Sequence, residues 1–268
     1  MNLYISDLDG TLLNEKALLS EYSKETLNKV LNSDVNFSIA TARTPATVIP
    51  ILEGLNLKLP IVVMNGAAMY DINKDQYLNQ NYIQNNLAKE ITNVIDACDV
   101  AFFTYTLSNN HIYAYYEKSN EFQDEFIKSR IGSPYKTFVK GQVPNFDEVL
   151  YFFIRDKKES VLEVYENLKN ISDLYCVLYK DVYNADIYNL EIYSNKSSKA
   201  NSIKLIMDDN NFEKLVAFGD NLNDLPMFDL ADEGLAVDNA VIELKDIASG
   251  VIESNIDDGV AKYLATVI

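Results

Sequence analysis

Short, wholly apolar runs that end in polar or glycine residues set the rhythm of this chain. Leu3-Tyr4-Ile5 is the first. It predicts a buried strand running straight into Asp7-Leu8-Asp9-Gly10-Thr11. Residues 20–31 place Leu27, Val30 and Leu31 on one helical face behind Ser20, a good N-cap, and predict a helix. Val35 to Ala40 alternates like a strand and ends in Thr41-Ala42-Arg43. A helix is then expected near Pro45, since proline suits a first helical turn. Ile61-Val62-Val63-Met64 reads as a strand buried on both faces, ending in Asn65-Gly66. Strand, helix, strand, helix, strand is the sequence form of a doubly wound, mostly parallel α/β sheet, a Rossmann-like core.

The character then changes. Of 18 tyrosines, 13 lie between Tyr82 and Tyr193, where aromatic-rich runs favour half-buried sheet surfaces. Ile112 to Tyr116 and Val149 to Ile154 predict strands, and Leu87 to Ala97 and Val161 to Leu168 predict helices. We read 83–193 as an α+β domain inserted into a core formed by 1–82 and 194–268. The α/β rhythm returns afterwards. A helix from Lys199 places Ala200, Ile203, Ile206 and Met207 on one face. Leu215 to Phe218 is a buried strand ending in Gly219-Asp220-Asn221-Leu222-Asn223-Asp224. Gly234 to Val237 is another, ending near Asp238-Asn239-Ala240.

Composition narrows the function classes. The 268 residues are 48% hydrophobic, enough for a sizeable core, and carry a net charge of −17. Such a surface repels nucleic acid and anionic lipid, so neither is an expected partner. It also repels phosphorylated ligands, so any anion site needs its own local cations. Two cysteines, Cys98 and Cys176, are too few for a disulfide framework. The chain enters a strand at once and no apolar run approaches the ~20 residues of a membrane span, so neither a secretory leader nor a span is expected. The expectation is a soluble cytoplasmic protein; its oligomeric state is open.

The candidate chemistry sits at strand ends. Asp7 and Asp9 follow one strand, Thr41 a second, Asp220 and Asp224 a third, and Lys199 opens the helix before that third strand. In open α/β sheets ligands bind at the strands' carboxyl ends. If the three strands are neighbours, four carboxylates meet at one edge. Two unit charges ~4 Å apart repel by about 4 kcal/mol at an effective dielectric of ~20. A hard divalent cation relieves that repulsion, and carboxylate, water and phosphate oxygens are the ligands Mg²⁺ prefers. Lys199 supplies one further positive charge. Gly10 lets the backbone bend and a ligand approach it closely.

The ordered set Asp7-x-Asp9-Gly10-Thr11, Thr41, Lys199 and Gly219-Asp220-x-x-Asn223-Asp224 resembles the four motifs of the haloacid dehalogenase-like hydrolase superfamily. Ala40-Thr41-Ala42-Arg43, Asn65-Gly66-Ala67, Lys199 to Lys204 and Asn239-Ala240 resemble its Cof-type subfamily, class IIB. Ala42 and Ala200 stand where that family usually has glycine. The resemblance implies hydrolysis of a small phosphorylated metabolite through an aspartyl-phosphate. It makes Asp7 the nucleophile and Asp9 the acid and base. Asp7, the Asp9 carbonyl and Asp220 become the Mg²⁺ ligands. Thr41 and Lys199 grip the phosphoryl oxygens, with Asp224 orienting Lys199 or a metal-bound water. Asn223 meets metal or phosphate, and Gly10, Thr11, Ala42, Asn65 and Gly66 line or support the phosphate site. Arg43 either meets an anionic substrate group or forms a surface ion pair. The inserted domain becomes a substrate-selecting cap. Two alternatives share the chemistry: a phosphomutase acting on a sugar, and a phospho-accepting signalling or binding module.

Overall fold

The computed structural model describes residues 1–181, 184 and 186–268. The chain divides into two compact units, Met1–Asn79 with Ser198–Ile268, and Gln80–Ser197.

The first unit starts with β1 (Asn2–Ser6), α1 (Glu21–Leu31), β2 (Asn36–Ile39), α2 (Pro45–Val48) and β3 (Ile61–Val63). Leu3, Tyr4 and Ile5 of β1 are all buried, so both faces of that strand are covered. Ser20 caps α1 as expected, its hydroxyl accepting the Ser23 N–H, and Leu27, Val30 and Leu31 turn inward. The helix at Pro45 forms but lasts only four residues. After β3 the chain folds back on itself as β4 (Ala68–Asp71) and β5 (Gln76–Leu78). These two antiparallel strands are missing from the sequence reading. Their turn is set by Asp71, whose carboxylate accepts the Asn73 and Lys74 N–H groups.

The inserted unit runs α3 (Asn85–Ala97), β6 (Phe103–Ser108), β7 (His111–Tyr116), α4 (Glu121–Lys128), β8 (Lys136–Lys140), β9 (Val149–Lys157), α5 (Lys158–Leu168), β10 (Leu174–Lys180) and β11 (Ile187–Ser194). Its sheet has the order β10-β11-β9-β6-β7-β8 and is antiparallel except for β7 with β8. Ile91 and Ile95 of α3 and Val161, Val164 and Leu168 of α5 join Phe152, Ile154, Leu190 and Ile192 in one apolar cluster. The alternate positions include Tyr151 and Phe153 of β9 and Tyr193 of β11, beside Phe103 and Tyr105 of β6. Tyr105 stacks on Tyr151 at 4.3 Å between ring centres, and Tyr151 on Tyr193 at 4.9 Å. The strand period of two sorts these residues onto opposite faces of the sheet.

The chain then returns to the first unit as α6 (Lys199–Asn210), β12 (Lys214–Gly219), α7 (Leu225–Leu230), β13 (Glu233–Val237), α8 (Ile242–Lys245), β14 (Gly250–Ile252) and α9 (Gly259–Ala265). The main sheet is wholly parallel, in the order β14-β13-β12-β1-β2. A single parallel bridge from Ala40 to Val62 attaches β3 beyond β2. Helices pack on the sheet in the pairs α1 with α9 and α6 with α7. This is the doubly wound α/β architecture expected, with β1 between β12 and β2.

One buried charge in the inserted unit gives a testable consequence. Lys136 is 4% exposed, and its ammonium lies 4.9 Å from the Phe138 ring centre and 5.4 Å from that of Tyr105. Burial, reinforced by the Arg130 charge, pulls it down from 10.5 to about 7. Above pH 7 and below its ordinary range, the unfolded chain therefore holds more protons at this site. The stability the site contributes accordingly rises with pH across that window. Lys136→Met is expected to raise the thermal midpoint at pH 7, and that gain shrinks towards pH 10. A variant less stable than the parent at pH 7 contradicts this.

Candidate active site

The strand order decides what meets at the carboxyl edge of the main sheet. Ser6 pairs with Phe218 on one side and Ile39 on the other, so all three strands end at one level. The Asp7 N–H donates to the Phe218 carbonyl at 3.0 Å. The Ala40 N–H reaches the Ser6 carbonyl at 2.9 Å, and the Thr41 N–H reaches that of Val62 at 2.9 Å. Asp7, Thr41 and Asp220 thus leave adjacent strands side by side.

The turn after β1 is wound around the Leu8 carbonyl, which accepts the N–H groups of Thr11, Leu12 and Leu13. Gly10 has φ +78°, and a Cβ there would stand 2.4 Å from Asp220 Oδ2. Only glycine allows both the conformation and that approach. Thr11 Oγ1 donates to Asp220 Oδ1 at 2.9 Å, tying the β1 and β12 loops together. Asn239 Nδ2 donates to the Gly10 carbonyl at 2.7 Å, while its Oδ1 accepts the Asn255 N–H at 3.0 Å. Asn255 Nδ2 in turn donates to the Leu13 carbonyl at 2.8 Å. Asn255 has no part in the sequence reading, because its partners come from the other end of the chain and no local pattern marks it.

Lys199 is the first residue of α6, whose N-cap Ser198 accepts the Asn201 N–H. Its Nζ donates to Asp7 Oδ1 at 2.5 Å and to Asp224 Oδ1 at 2.7 Å. All three side chains are buried. The other Asp224 oxygen accepts the N–H groups of Asp220 at 3.0 Å and Asn221 at 3.2 Å. Asp224 is therefore spent on holding Lys199 and the Asp220 loop. The start of α6 is itself held by close backbone contact. Gly66, with φ +89°, would place a Cβ 2.2 Å from the Ser198 carbonyl oxygen. Asn65 adopts φ +51°, and its N–H donates to the Thr41 carbonyl at 3.1 Å. The Asn65-Gly66 turn thus joins the Thr41 loop to the helix that carries Lys199.

One carboxylate oxygen from each of Asp7, Asp220 and Asp224 lies within 4.8 Å of the other two. Burial drives Asp7 well above the usual carboxylate range; the Lys199 charge opposes this, while Asp224 and Asp220 add to it. Burial, then the Asp224 charge, pushes Asp220 up to about 7. For Lys199, burial pulls downward, but the Asp224 and Asp7 charges outweigh it and hold the ammonium above its ordinary value. Three carboxylates face one ammonium. Asp7 Oδ2 and Asp220 Oδ2 take no hydrogen bond among the described residues. Hard oxygen donors with excess negative charge fit a divalent cation such as Mg²⁺.

Asp9 is exposed and forms a two-point ion pair with Arg43. Arg43 Nε donates to Asp9 Oδ2 at 2.7 Å and Nη2 to Oδ1 at 2.6 Å. Thr41 is buried, and its Oγ1 accepts the Arg43 N–H at 3.1 Å. Ala42 lies between them in the same loop. Asn223 is half-buried in the short helical turn Leu222–Asp224, and its side chain makes no hydrogen bond among the described residues. The candidate residues 7, 9, 10, 11, 41, 42, 43, 65, 66, 199, 220, 223 and 224 all lie in the first unit.

Gly66→Ala is expected to destabilise the protein by about 2 kcal/mol or more, from left-handed backbone strain plus the collision with Ser198. Chemical denaturation measures this, and an unchanged midpoint contradicts the proposed docking of α6.

Comparison with known proteins agrees with this architecture. The family model for haloacid dehalogenase-like hydrolases matches residues 4–264. A putative phosphatase from Buchnera aphidicola is 28% identical, covering 97% of this chain and 95% of its own. A 5-amino-6-(5-phospho-D-ribitylamino)uracil phosphatase from Bacillus subtilis is 25% identical, covering 98% and 94%. Among solved structures, a haloacid dehalogenase-like hydrolase from B. subtilis superposes with a TM-score of 0.80 at 22% identity, over the whole of both chains. A subclass IIB sugar phosphatase superposes at 0.75 with 19% identity, over 100% and 99%; at such identities these two show the fold alone. The chain belongs to the haloacid dehalogenase-like hydrolase family, among its phosphatases.

Proposed function

We propose that the chain hydrolyses phosphate monoesters of small metabolites, sugar phosphates or phosphorylated cofactors, through an aspartyl-phosphate on Asp7 with Mg²⁺ bound. The observation that carries this is the buried Lys199 ammonium shared by Asp7 and Asp224, beside Asp7 and Asp220 oxygens that take no hydrogen bond among the described residues. The names of the relatives, a ribitylaminouracil phosphate phosphatase among them, support the substrate class.

In this reading an Asp7 oxygen attacks phosphorus, and the bond from phosphorus to the ester oxygen breaks. Asp9 gives a proton to the departing oxygen. It then takes one from the water that attacks the aspartyl-phosphate. Thr41 Oγ1 already accepts the Arg43 N–H, so its own O–H is left to donate to a phosphoryl oxygen. Lys199 offsets the charge on Asp7 and draws a phosphoryl oxygen towards itself. Asp224 keeps Lys199 in place and stiffens the Asp220 loop. Asp7, Asp220 and the Asp9 carbonyl would hold Mg²⁺, which when bound neutralises charge on the phosphoryl group. The inserted unit, Gln80–Ser197, serves as the cap that selects the substrate.

Phosphate release from p-nitrophenyl phosphate tests the reading. The parent enzyme is expected to need Mg²⁺, to stop in EDTA and to recover when Mg²⁺ is restored. Asp7→Asn is expected to stay folded, since the amide relieves a buried charge while Asp224 still pairs Lys199, and to show no turnover. Appreciable turnover by folded Asp7→Asn, or by the parent enzyme in EDTA, contradicts it.

A further inference from the structure

The ion pair between Arg43 and Asp9 does more than decorate the edge of the site. Arg43 Nε and Nη2 each take one oxygen of the Asp9 carboxylate, in the parallel fork that makes guanidinium–carboxylate pairs strong. Asp9 can hand a proton to a leaving oxygen only from one of those two atoms. The fork occupies one lone pair of each, so a leaving oxygen that approaches from the Arg43 side reaches Asp9 only when Arg43 moves aside.

What draws Arg43 away has to match its fork. The guanidinium is always charged, and carboxylate or phosphate is the partner it fits at two points. A neutral hydroxyl is no substitute. Lys199 does not take that second anion, because it is buried, with two of its three N–H groups on Asp7 and Asp224 and the third left for the phosphoryl oxygen. Arg43 and Asp9 instead reach solvent, with side chains 22% and 52% exposed. Thr41 and Lys199 mark the phosphoryl side of the site, and Asp9 marks the side of the leaving group. The competing anion thus belongs to the leaving portion of the substrate. The base of the Arg43 side chain is fixed: its N–H donates to Thr41 Oγ1, and its carbonyl accepts the Met64 N–H. Only the side chain has to swing.

We propose that Arg43 is a latch on Asp9 which a second anionic group on the leaving portion of the substrate opens, so that Arg43 selects phosphate monoesters carrying a carboxylate or a second phosphate. This rests on the reading of Asp9 as the proton donor. Arg43 then meets the substrate's second anion directly and, by leaving Asp9, frees it.

Matched substrates separate a latch from a merely structural pair. Glycerol 3-phosphate against 3-phosphoglycerate, and phenyl phosphate against 4-carboxyphenyl phosphate, differ by one carboxylate on the leaving portion. p-Nitrophenyl phosphate, whose leaving group needs little protonation, serves as the baseline. With Mg²⁺, the parent enzyme is expected to favour the carboxylated members by about tenfold or more in kcat/KM, the scale of one charged hydrogen-bonded pair. Arg43→Ala should bring that ratio close to one in two ways: KM rises for the carboxylated members and kcat rises for the neutral ones. Arg43→Lys, which keeps the charge but not the fork, should recover part of the preference. A parent enzyme that favours the neutral members overturns the proposal. So does an Arg43→Ala variant in which every substrate falls by the same factor. Failure of the parent enzyme to release phosphate from any substrate, p-nitrophenyl phosphate included, refutes the phosphatase reading instead and takes this proposal with it.

Discussion

A single ammonium shared by two buried carboxylates governs this structure. Lys199 stands between Asp7 and Asp224. Removing one partner from such a buried group leaves an uncompensated charge, which is far costlier than losing a surface ion pair. The arrangement therefore demands precision from segments far apart in the chain. Asp7 must sit at the end of β1, Lys199 at the first turn of α6, and Asp224 four residues past Asp220. The cluster still carries more acid than base, and burial first, with the neighbouring aspartates adding to it, lifts Asp7 and Asp220 out of the usual carboxylate range. A site of this kind is stable when it stays partly protonated or when a cation supplies the missing charge, and this links the electrostatics of the fold to phosphoryl chemistry.

Much of the surrounding architecture serves that constraint. A parallel sheet with β1 between β12 and β2 places three strand ends at one level, so short loops reach a common point. Glycines occur where loops must nearly touch. Gly10 lets the β1 turn press against Asp220, and Gly66 lets the β3 turn press against the start of α6. Thr11, Asn239 and Asn255 then fasten the β1 loop to loops from the far half of the chain. The Asp9–Arg43 pair, by contrast with the Lys199 pairs, stands out towards solvent and can exchange partners without disturbing a buried charge.

The sequence discloses some of this and hides the rest for physical reasons. β1, β12 and β13 were legible because strands buried on both faces read as unbroken apolar runs, and Asp7 and Asp220 stand directly behind two of them. The α1 helix was legible from its cap and its apolar face. β4 and β5 were not, since they are short and lie in a tight hairpin whose turn rests on Asp71 rather than on a glycine signal. The pairing of Lys199 with Asp7 spans 192 residues and no local pattern contains it; the order of strand ends placed Lys199 near the acids as a further positive charge, and the resemblance to a family gave it the role of offsetting Asp7. For Arg43 the sequence left an ion pair and an anion contact open, and the structure shows the ion pair. Gly66 was grouped with the residues that line or support the phosphate site, and a contact no local pattern reveals is its close approach to the backbone of Ser198.

Capture of the covalent species at Asp7 tests the whole account most directly. The enzyme is mixed with Mg²⁺ and a phosphate monoester, quenched during turnover and treated with borohydride, which reduces an aspartyl-phosphate to homoserine. Peptide mass spectrometry then locates the change. The account predicts homoserine at position 7 and at no other aspartate, dependent on substrate. Reduction at Asp9 or Asp220, or an unmodified Asp7 in enzyme stopped while steadily releasing phosphate, would contradict it.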